Sequence, residues 1–137
     1  CRELGIGFVA YSPLGRGMLT GTIEGADSLG EGDRRRDHPR FQAGNIDANV
    51  AIVQPLKEIA ASKGVSMPQL AIAWLLHQGE YIVPIPGTKR IAHLLENIAA
   101  ADISLSDEEV QLVGAAVNAD AVSGTRYPEK QLGGLSI

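Results

Sequence analysis

Residues 81–100, YIVPIPGTKRIAHLLENIAA, contain a short apolar run, a glycine turn and a helical pattern in direct succession. The run Tyr81–Ile85 has the length and composition of a strand buried in a sheet, although Pro84 limits its backbone hydrogen bonds. A helix is predicted from about Lys89 to Ala100. A strand that passes directly into a helix is typical of α/β proteins.

The predicted helix has two distinct sides. At about 100° per residue, its apolar side chains project on one side and its polar side chains on the other. We therefore expect the apolar side to pack against the core and the polar side to face solvent or a ligand. The apolar set is Ile91, Leu94, Leu95 and Ile98, and the polar set is Lys89, His93, Glu96 and Asn97.

The turn before this helix has the chemistry of a phosphate site. Gly87 lets the backbone approach a ligand, and Thr88 can act as the N-cap or offer its hydroxyl. Free N–H groups of the first turn attract anions, and Lys89 and Arg90 add charge-assisted bonds. His93 and its polar neighbours further along could contact a purine ring. From this motif alone, a capped helix with a solvated polar face is an equally good interpretation.

A second strand and loop occur near the start of the chain. Ile6–Ala10 (IGFVA) predicts a strand buried on both faces, and Tyr11–Gly17 (YSPLGRG) predicts a loop rich in glycine and proline. The loop is either ligand-facing or a tight turn with Tyr11 packed in the core. Both loops follow strands, at the strand ends where α/β proteins place their ligands, which favours a shared site.

The segments between these motifs predict one long loop and several helices. Thr22–Gly44 has no apolar periodicity and is predicted to be a long, mobile loop that is rich in arginine. A helix is predicted from Asn45, as its N-cap, to about Gly64. Pro55 should kink or split this helix.

Two further helices carry capping signals. Ser66 and Gln69 predict a capping box for a largely buried helix from Met67 to about Gln78. Ser106-Asp107-Glu108-Glu109 opens the last helix in the same way, and an irregular tail is expected from Ala119. Strands separated by helices predict a parallel sheet. Because two parallel strands cannot shield both faces and both edges, we expect an incomplete domain from a longer protein.

The amino-acid composition and charge of the chain disfavour some classes of function. The 137 residues are 45% hydrophobic with a net charge of -4, and the isoelectric point is about 5.3. An acidic chain of this kind does not favour nucleic acid as a partner. No apolar run is long enough to predict a membrane span. Cys1 is the single cysteine, which fits a reducing, cytoplasmic location.

The paired motifs FVAYSPLGRGMLTG and IPGTKRIAHLLENIAA resemble the aldo-keto reductase family, including its bacterial and plant branches and the potassium-channel β subunits. The resemblance covers nearly the whole chain. It implies a (β/α)8 TIM barrel that binds NADP(H) without a Rossmann glycine fingerprint and reduces small aldehydes or ketones by hydride transfer. The chain would be the C-terminal part of that barrel, from the seventh strand to the C-terminus, with about two parallel strands and four helices in one incomplete domain, residues 1–137.

The resemblance also implies roles for individual residues. Tyr11 would stack on the nicotinamide, and the loop after it would run along the pyrophosphate. The second turn would hold the adenosine 2′-phosphate, and the polar helix side would hold the adenine. Arg34–Arg36 would help to clamp the bound cofactor. The implied cofactor-binding residues are Tyr11, Ser12, Pro13, Leu14, Gly15, Arg16, Gly17, Gly87, Thr88, Lys89, Arg90, His93, Glu96 and Asn97.

The sequence departs from the family in one important respect. The motif contexts of the family's catalytic Asp, Tyr, Lys and His are absent, so we assign no catalytic residue and no metal site. The parent protein is predicted to be an NADPH-dependent reductase, and the chain alone is predicted to be inactive. Exposed strand edges predict self-association or pairing with a missing N-terminal part. The alternative is a non-catalytic nucleotide-binding or interaction module that resembles the channel β subunits.

Overall fold

The computed structural model describes residues 1–117 and 119–133. Short 3-10 turns connect its regular elements, most of them in the segment before the first helix. The strands are β1 (Phe8–Tyr11) and β2 (Ile82–Ile85). The helices are α1 (Asn45–Val53), α2 (Pro55–Lys63), α3 (Met67–Leu76), α4 (Ile91–Ala99), α5 (Asp107–Ala116) and α6 (Glu129–Leu132).

The two strands pair in parallel, as predicted. Phe8 lies opposite Ile82 and Tyr11 lies opposite Ile85. The Phe8 N–H donates to the Tyr81 carbonyl at 2.7 Å and begins the pairing. Compared with the prediction, β1 begins and ends later, and β2 begins one residue later. This register places the carboxyl ends of the two strands side by side.

The expectation that both faces of the sheet are buried is wrong. Ala10 is buried, but its neighbours Val9 and Tyr11 are exposed, and so are Val83 and Ile85 on β2. A two-stranded sheet has two free edges, and α3 packs against β2. Several apolar side chains of the two strands are therefore not covered by any described part of the chain.

Pro55 splits the first long helix, as predicted. Helix α1 ends at Val53 and α2 begins at Pro55, since proline cannot supply the N–H of a helix interior but suits a first helical position. Helix α2 ends at Gly64, whose φ of 71° is left-handed. Asn45 was predicted to be an N-cap, which is wrong: Gly44 has that position, and Asn45 Nδ2 donates to the Pro39 carbonyl at 2.8 Å.

Both predicted capping boxes are present. Ser66 and Gln69 cap α3, and Ser106 and Glu109 cap α5. Each box satisfies backbone N–H groups that the first helical turn would leave without partners. Trp74 Nε1 donates to the Val110 carbonyl at 2.9 Å and joins the two helices. Helix α3 is largely buried, as predicted, but ends about two residues earlier than expected.

The core includes residues from the segment that was predicted to be a mobile loop. Ile23, Leu29 and Phe41 are buried and belong to the main hydrophobic cluster, together with residues of α1, α2 and α3. Three short 3-10 turns organise the segment between Ala26 and Phe41. These three side chains are too widely spaced to show periodicity, although each is buried. The segment is a long loop, as predicted, but it contributes side chains to the core, which the prediction of a polar loop did not include.

Helix α4 faces the opposite way from the prediction. Its apolar side chains, Ile91, Leu94, Leu95 and Ile98, are exposed, with Ile91 at 78%. Its polar residue Asn97 is buried at 8% exposure. The helix packs on α3 and on the turn at residues 100–102, and no other described element covers its apolar side.

The tail after α5 is mostly irregular, as predicted, with one 3-10 turn at Ala119–Ala121 and the short helix α6. In the described part of the chain, no single helix is long and apolar enough to cross a membrane. The helices within 45–63 and 67–76 meet the length and composition criteria only as a pair, which is bent by 90°.

Candidate functional site

A groove lies at the carboxyl ends of β1 and β2. It consists of two adjoining cavities of about 520 Å³ and 360 Å³. Both cavities are lined by Leu14, Gly17, Thr20 and Gly87, so they form one continuous groove. Its walls come from the two loops that follow the strands, from the start of α3 and from the polar side of α4.

The backbone of the first loop has an unusual conformation. Ser12 and Arg16 have φ values of 50° and 57°, in the left-handed region that side chains rarely adopt. Gly15 and Gly17 are also left-handed, and Thr20 Oγ1 donates to the Gly17 carbonyl at 2.7 Å. Such strain persists where surrounding structure holds it, commonly at ligand sites.

The second loop is organised by Thr88. Its hydroxyl accepts a hydrogen bond from the Arg90 N–H at 3.1 Å and donates to the Arg90 carbonyl at 3.3 Å. Arg90, and not Thr88, is the N-cap of α4, and no side chain caps this helix end. A Cβ added at Gly87 would meet no atom within 4 Å, so the backbone there borders open space.

The polar side of α4 forms the far wall of the groove. His93 Nδ1 and Glu96 Oε2 are 3.3 Å apart. Asn97 is buried and lines the groove. Its carboxamide makes no hydrogen bond to the described residues. Because it borders the groove, this carboxamide is available to hydrogen-bond a ligand there.

The structure brings most of the predicted cofactor residues together. Tyr11, Gly15 and Lys89 are not among the residues that line the groove, although each adjoins one that does. The predicted residues that do line it are Ser12, Pro13, Leu14, Arg16, Gly17, Gly87, Thr88, Arg90, His93, Glu96 and Asn97.

Sequence analysis missed several lining residues. The start of α3 contributes Ser66, Met67 and Pro68, and the first loop contributes Thr20 and Thr22. The capping box at Ser66 was a usable signal, because it marks a helix N-terminus, which favours anions. Thr20 lies at the end of the motif FVAYSPLGRGMLTG but was assigned no role, and Thr22 lies just beyond it.

Arg35 ties the long segment before α1 to the first groove loop. Its guanidinium donates to both carboxylate oxygens of Asp33 and to the Arg16 carbonyl at 3.2 Å. The neighbouring Arg36 donates to the Leu29 and Gly30 carbonyls. These two arginines therefore hold the segment in place through protein contacts. Whether Arg34–Arg36 also clamp a cofactor stays a prediction.

Tyr11 stands at the carboxyl end of β1 and is 49% exposed, so the alternative that placed it in the core is wrong. The Tyr127 hydroxyl donates to the Tyr11 hydroxyl at 2.9 Å. This bond, with weaker effects of Arg126 and Arg16, lowers the pKa of Tyr127. The phenol ring of Tyr11 is thereby fixed beside the groove, next to the chain's tail.

The described residues also bear on metal binding. Within residues 1–117 and 119–133, no group of three or more His, Cys, Asp or Glu side chains could hold a metal ion.

Comparisons with known proteins agree with these motifs. The model of the Aldo/keto reductase family matches residues 1–118. A Schizosaccharomyces pombe protein, aldo-keto reductase yakc, whose name specifies NADP(+), is 45% identical over 128 residues. The match covers 93% of this chain and 38% of the relative, so the chain spans well under half of that protein.

Two solved structures resemble the chain. The glycerol dehydrogenase AKR11B4 of Gluconobacter oxydans matches with a TM-score of 0.73 and 26% identity, over 84% of this chain and 35% of its own. A thermostable aldo-keto reductase, Tm1743, solved with the inhibitor epalrestat, matches with a TM-score of 0.56 and 30% identity, over 85% and 31%. The two parallel strands and their helices are thus a part of the TIM-barrel fold.

The contact between Asp33 and Arg35 has a testable pH dependence. Hydrogen bonds from Arg35 hold the pKa of Asp33 at about 2, below its usual 3.8. Since the pKa is depressed in the folded chain, the pairing stabilises the segment above about 3.8 and is lost as the pH falls through about 2. We expect Asp33→Asn to speed amide hydrogen exchange at Arg35 and His38 at neutral pH.

The matched control is Asp27→Asn, which removes the same charge from an exposed position of the same segment. Exchange at Arg35 and His38 should be unchanged in that variant. Equal exchange in both variants would show that Asp33 does not hold the segment.

Proposed function

Because this chain belongs to the aldo/keto reductase family, we propose that it forms the NADP(H)-binding end of an NADPH-dependent carbonyl reductase. The observation that carries the proposal is the continuous groove at the carboxyl ends of both parallel strands. Loops with exposed backbone and the cations Arg16 and Arg90 line it, which suits the phosphates of a dinucleotide.

The adenosine 2′-phosphate is assigned to the turn before α4. Gly87 offers backbone without a side chain, Thr88 orders the turn, and Arg90 lines the groove without an ion-pair partner among the described residues. Lys89 adds a second cation beside it. A phosphate here receives charge-assisted bonds and the positive end of α4.

The adenine is assigned to the polar side of α4. Asn97 supplies both a donor and an acceptor from a buried position, which suits the edge of a purine. His93 presents a ring that can stack, and its contact with Glu96 orients it. This arrangement explains why the polar side of the helix, and not the apolar side, faces the rest of the chain.

The pyrophosphate and nicotinamide are assigned to the first loop. Residues 12–17 run along the smaller cavity, with the Arg16 side chain available to a phosphate. Tyr11 lies just before this loop, at the end of β1, where its exposed ring can stack on the nicotinamide. When bound, NADPH supplies a hydride, which with one proton converts an aldehyde or ketone to an alcohol.

The catalytic residues are proposed to come from the rest of a barrel. Residues 1–137 would run from the seventh strand to the C-terminus, in a cytoplasmic protein with small carbonyl substrates. The exposed apolar sides of α4 and of the sheet support this proposal, because a completed barrel would cover them. Alone, the chain should self-associate through these surfaces, which sedimentation velocity at rising concentration would detect.

The chain alone should bind NADPH but not turn it over. We expect no NADPH-dependent reduction of 4-nitrobenzaldehyde by the pure chain, since it supplies no proton donor from the family's catalytic set. Loss of NADPH absorbance measures this. Steady turnover by pure chain would contradict the assignment of catalysis to another part of the protein, and absence of NADPH binding would contradict the assignment of the groove.

The 2′-phosphate assignment predicts a cofactor preference. Lys89→Ala and Arg90→Ala should weaken NADPH binding more than NADH binding, with the larger effect at Arg90 because it lines the groove. A charge-assisted bond is worth roughly 1.5–3 kcal/mol, or about ten- to hundredfold in affinity. Fluorescence titration of the two cofactors measures the difference.

Lys57→Ala is the control for these variants, since it removes one cation from an exposed site on α2. It should change neither affinity. If Arg90→Ala weakens NADPH and NADH equally, the cation does not contact the 2′-phosphate.

A further inference from the structure

Arg126 lies over the Tyr11 ring and Arg16 over the Tyr127 ring, outside the part of the groove assigned to adenosine, and Arg40 contacts the same tail at the Gly124 carbonyl. Arg16 Nη1 donates to the Arg126 carbonyl at 3.3 Å. Burial lowers the pKa of Arg40, and the charges of Arg126 and Arg16 lower it further, so both of these cations repel Arg40. None of them forms an ion pair with a carboxylate of the described residues. On a chain with a net charge of -4, this local excess of positive charge needs an explanation.

Polar atoms in the cluster also lack partners. The guanidinium of Arg126 lies 4.5 Å from the ring centre of Tyr11, and that of Arg16 lies 5.0 Å from the ring centre of Tyr127. Arg126 Nε and His38 Nδ1 are buried without a hydrogen-bond partner in the described part of the chain. Arg126 Nε can only donate, and because a buried donor without a partner costs free energy, it indicates a missing acceptor.

The cluster is held by a rigid frame. Asn49 Nδ2 donates to the carbonyls of Arg40 and Ser123 at 3.0 and 2.9 Å, and Asn49 Oδ1 accepts from the Ser123 N–H at 2.8 Å. Arg40 Nε donates to the Gly124 carbonyl at 3.4 Å. The tail is thereby fixed against the segment before α1, so Arg126 and Tyr127 are positioned in advance of any ligand.

We propose that Arg16, Arg40 and Arg126 bind the carboxylate of the carbonyl substrate, so that the reductase prefers aldehydes or ketones that carry an acidic group. This inference rests on the proposed function, which places the reacting carbonyl near Tyr11. A guanidinium is the side chain best suited to a carboxylate, because its paired donors match both oxygens.

The cofactor phosphates are a second source of the same chemistry. Arg40, Arg126 and Tyr127 do not line the groove, whereas Arg16 borders it. The adenosine and pyrophosphate sites therefore leave two of the three arginines without an anion. This distribution favours a separate carboxylate on the nicotinamide side of Tyr11.

The first test uses benzoate as the probe and the 137-residue chain saturated with NADP+. Amide NMR titration should show benzoate binding that shifts Arg16 and Arg126, with no binding of the neutral isostere benzamide. Arg126→Met should weaken benzoate roughly tenfold or more, as expected for a lost charge-assisted bond. Lys130→Met, which removes one cation from an exposed tail position, should leave the affinity unchanged.

Three results would overturn the inference. They are equal binding of benzoate and benzamide by the wild-type chain, equal benzoate affinity in the Arg126→Met and Lys130→Met variants, and benzoate binding that occurs in the cofactor-free chain but is abolished by saturation with NADP+. The last result would assign the arginines to a cofactor phosphate. The comparison of benzoate with benzamide needs no variant. It therefore tests the inference even if the tail of Arg126→Met misfolds.

The second test measures turnover by the complete reductase that contains this chain. With NADPH, kcat/KM for 4-carboxybenzaldehyde should exceed that for methyl 4-formylbenzoate by roughly tenfold or more. Arg126→Met should bring this ratio close to one, chiefly through KM, and Lys130→Met should keep it. A ratio near one in the wild type would overturn the inference. Failure to reduce either aldehyde would instead refute the proposed function, with benzoate binding unaffected.

Discussion

The parallel pairing of β1 with β2 is the constraint on which the candidate site depends. Four residue pairs, from Phe8 opposite Ile82 to Tyr11 opposite Ile85, align the carboxyl ends of the strands. Two loops that are far apart in the sequence consequently leave the sheet at the same edge. The strained loop after Tyr11 and the turn at Gly87 then border one groove, together with the start of α3 and the polar side of α4. A shift of register by one residue would separate these walls and reverse the side chains of one strand.

The orientation of helix α4 bears both on the groove and on which elements complete the fold. Its buried polar residue Asn97 faces the groove, while Ile91, Leu94, Leu95 and Ile98 face outward. An amphipathic helix normally turns its apolar side to the core. The inversion is understandable if the ligand occupies the polar side and further barrel elements cover the apolar side. The exposed faces of the sheet and the share of its relatives that the chain spans, 38% or less, are consistent with this view.

Local sequence signals predicted the local structure well, and non-local packing poorly. Pro55 and the two capping boxes act through backbone groups of adjacent residues, so their effects could be predicted directly. Glycine and hydroxyl residues after two apolar runs predicted where the groove lies. Burial of Ile23, Leu29 and Phe41 could not be predicted, because isolated apolar residues have no period. The tail contacts of Arg126 and Tyr127 were missed for a different reason: they join residues from opposite ends of the chain, which no local pattern reports.

The proposed function requires the groove to recognise the phosphorylated adenosine of NADP(H). Calorimetric titration of the chain with adenosine 2′,5′-bisphosphate and with adenosine 5′-monophosphate tests it most directly, because neither ligand reaches the nicotinamide end. The bisphosphate should bind roughly ten- to hundredfold more tightly, as one added charge-assisted contact requires. Equal affinities for the two ligands, or no binding of either, would contradict the claim.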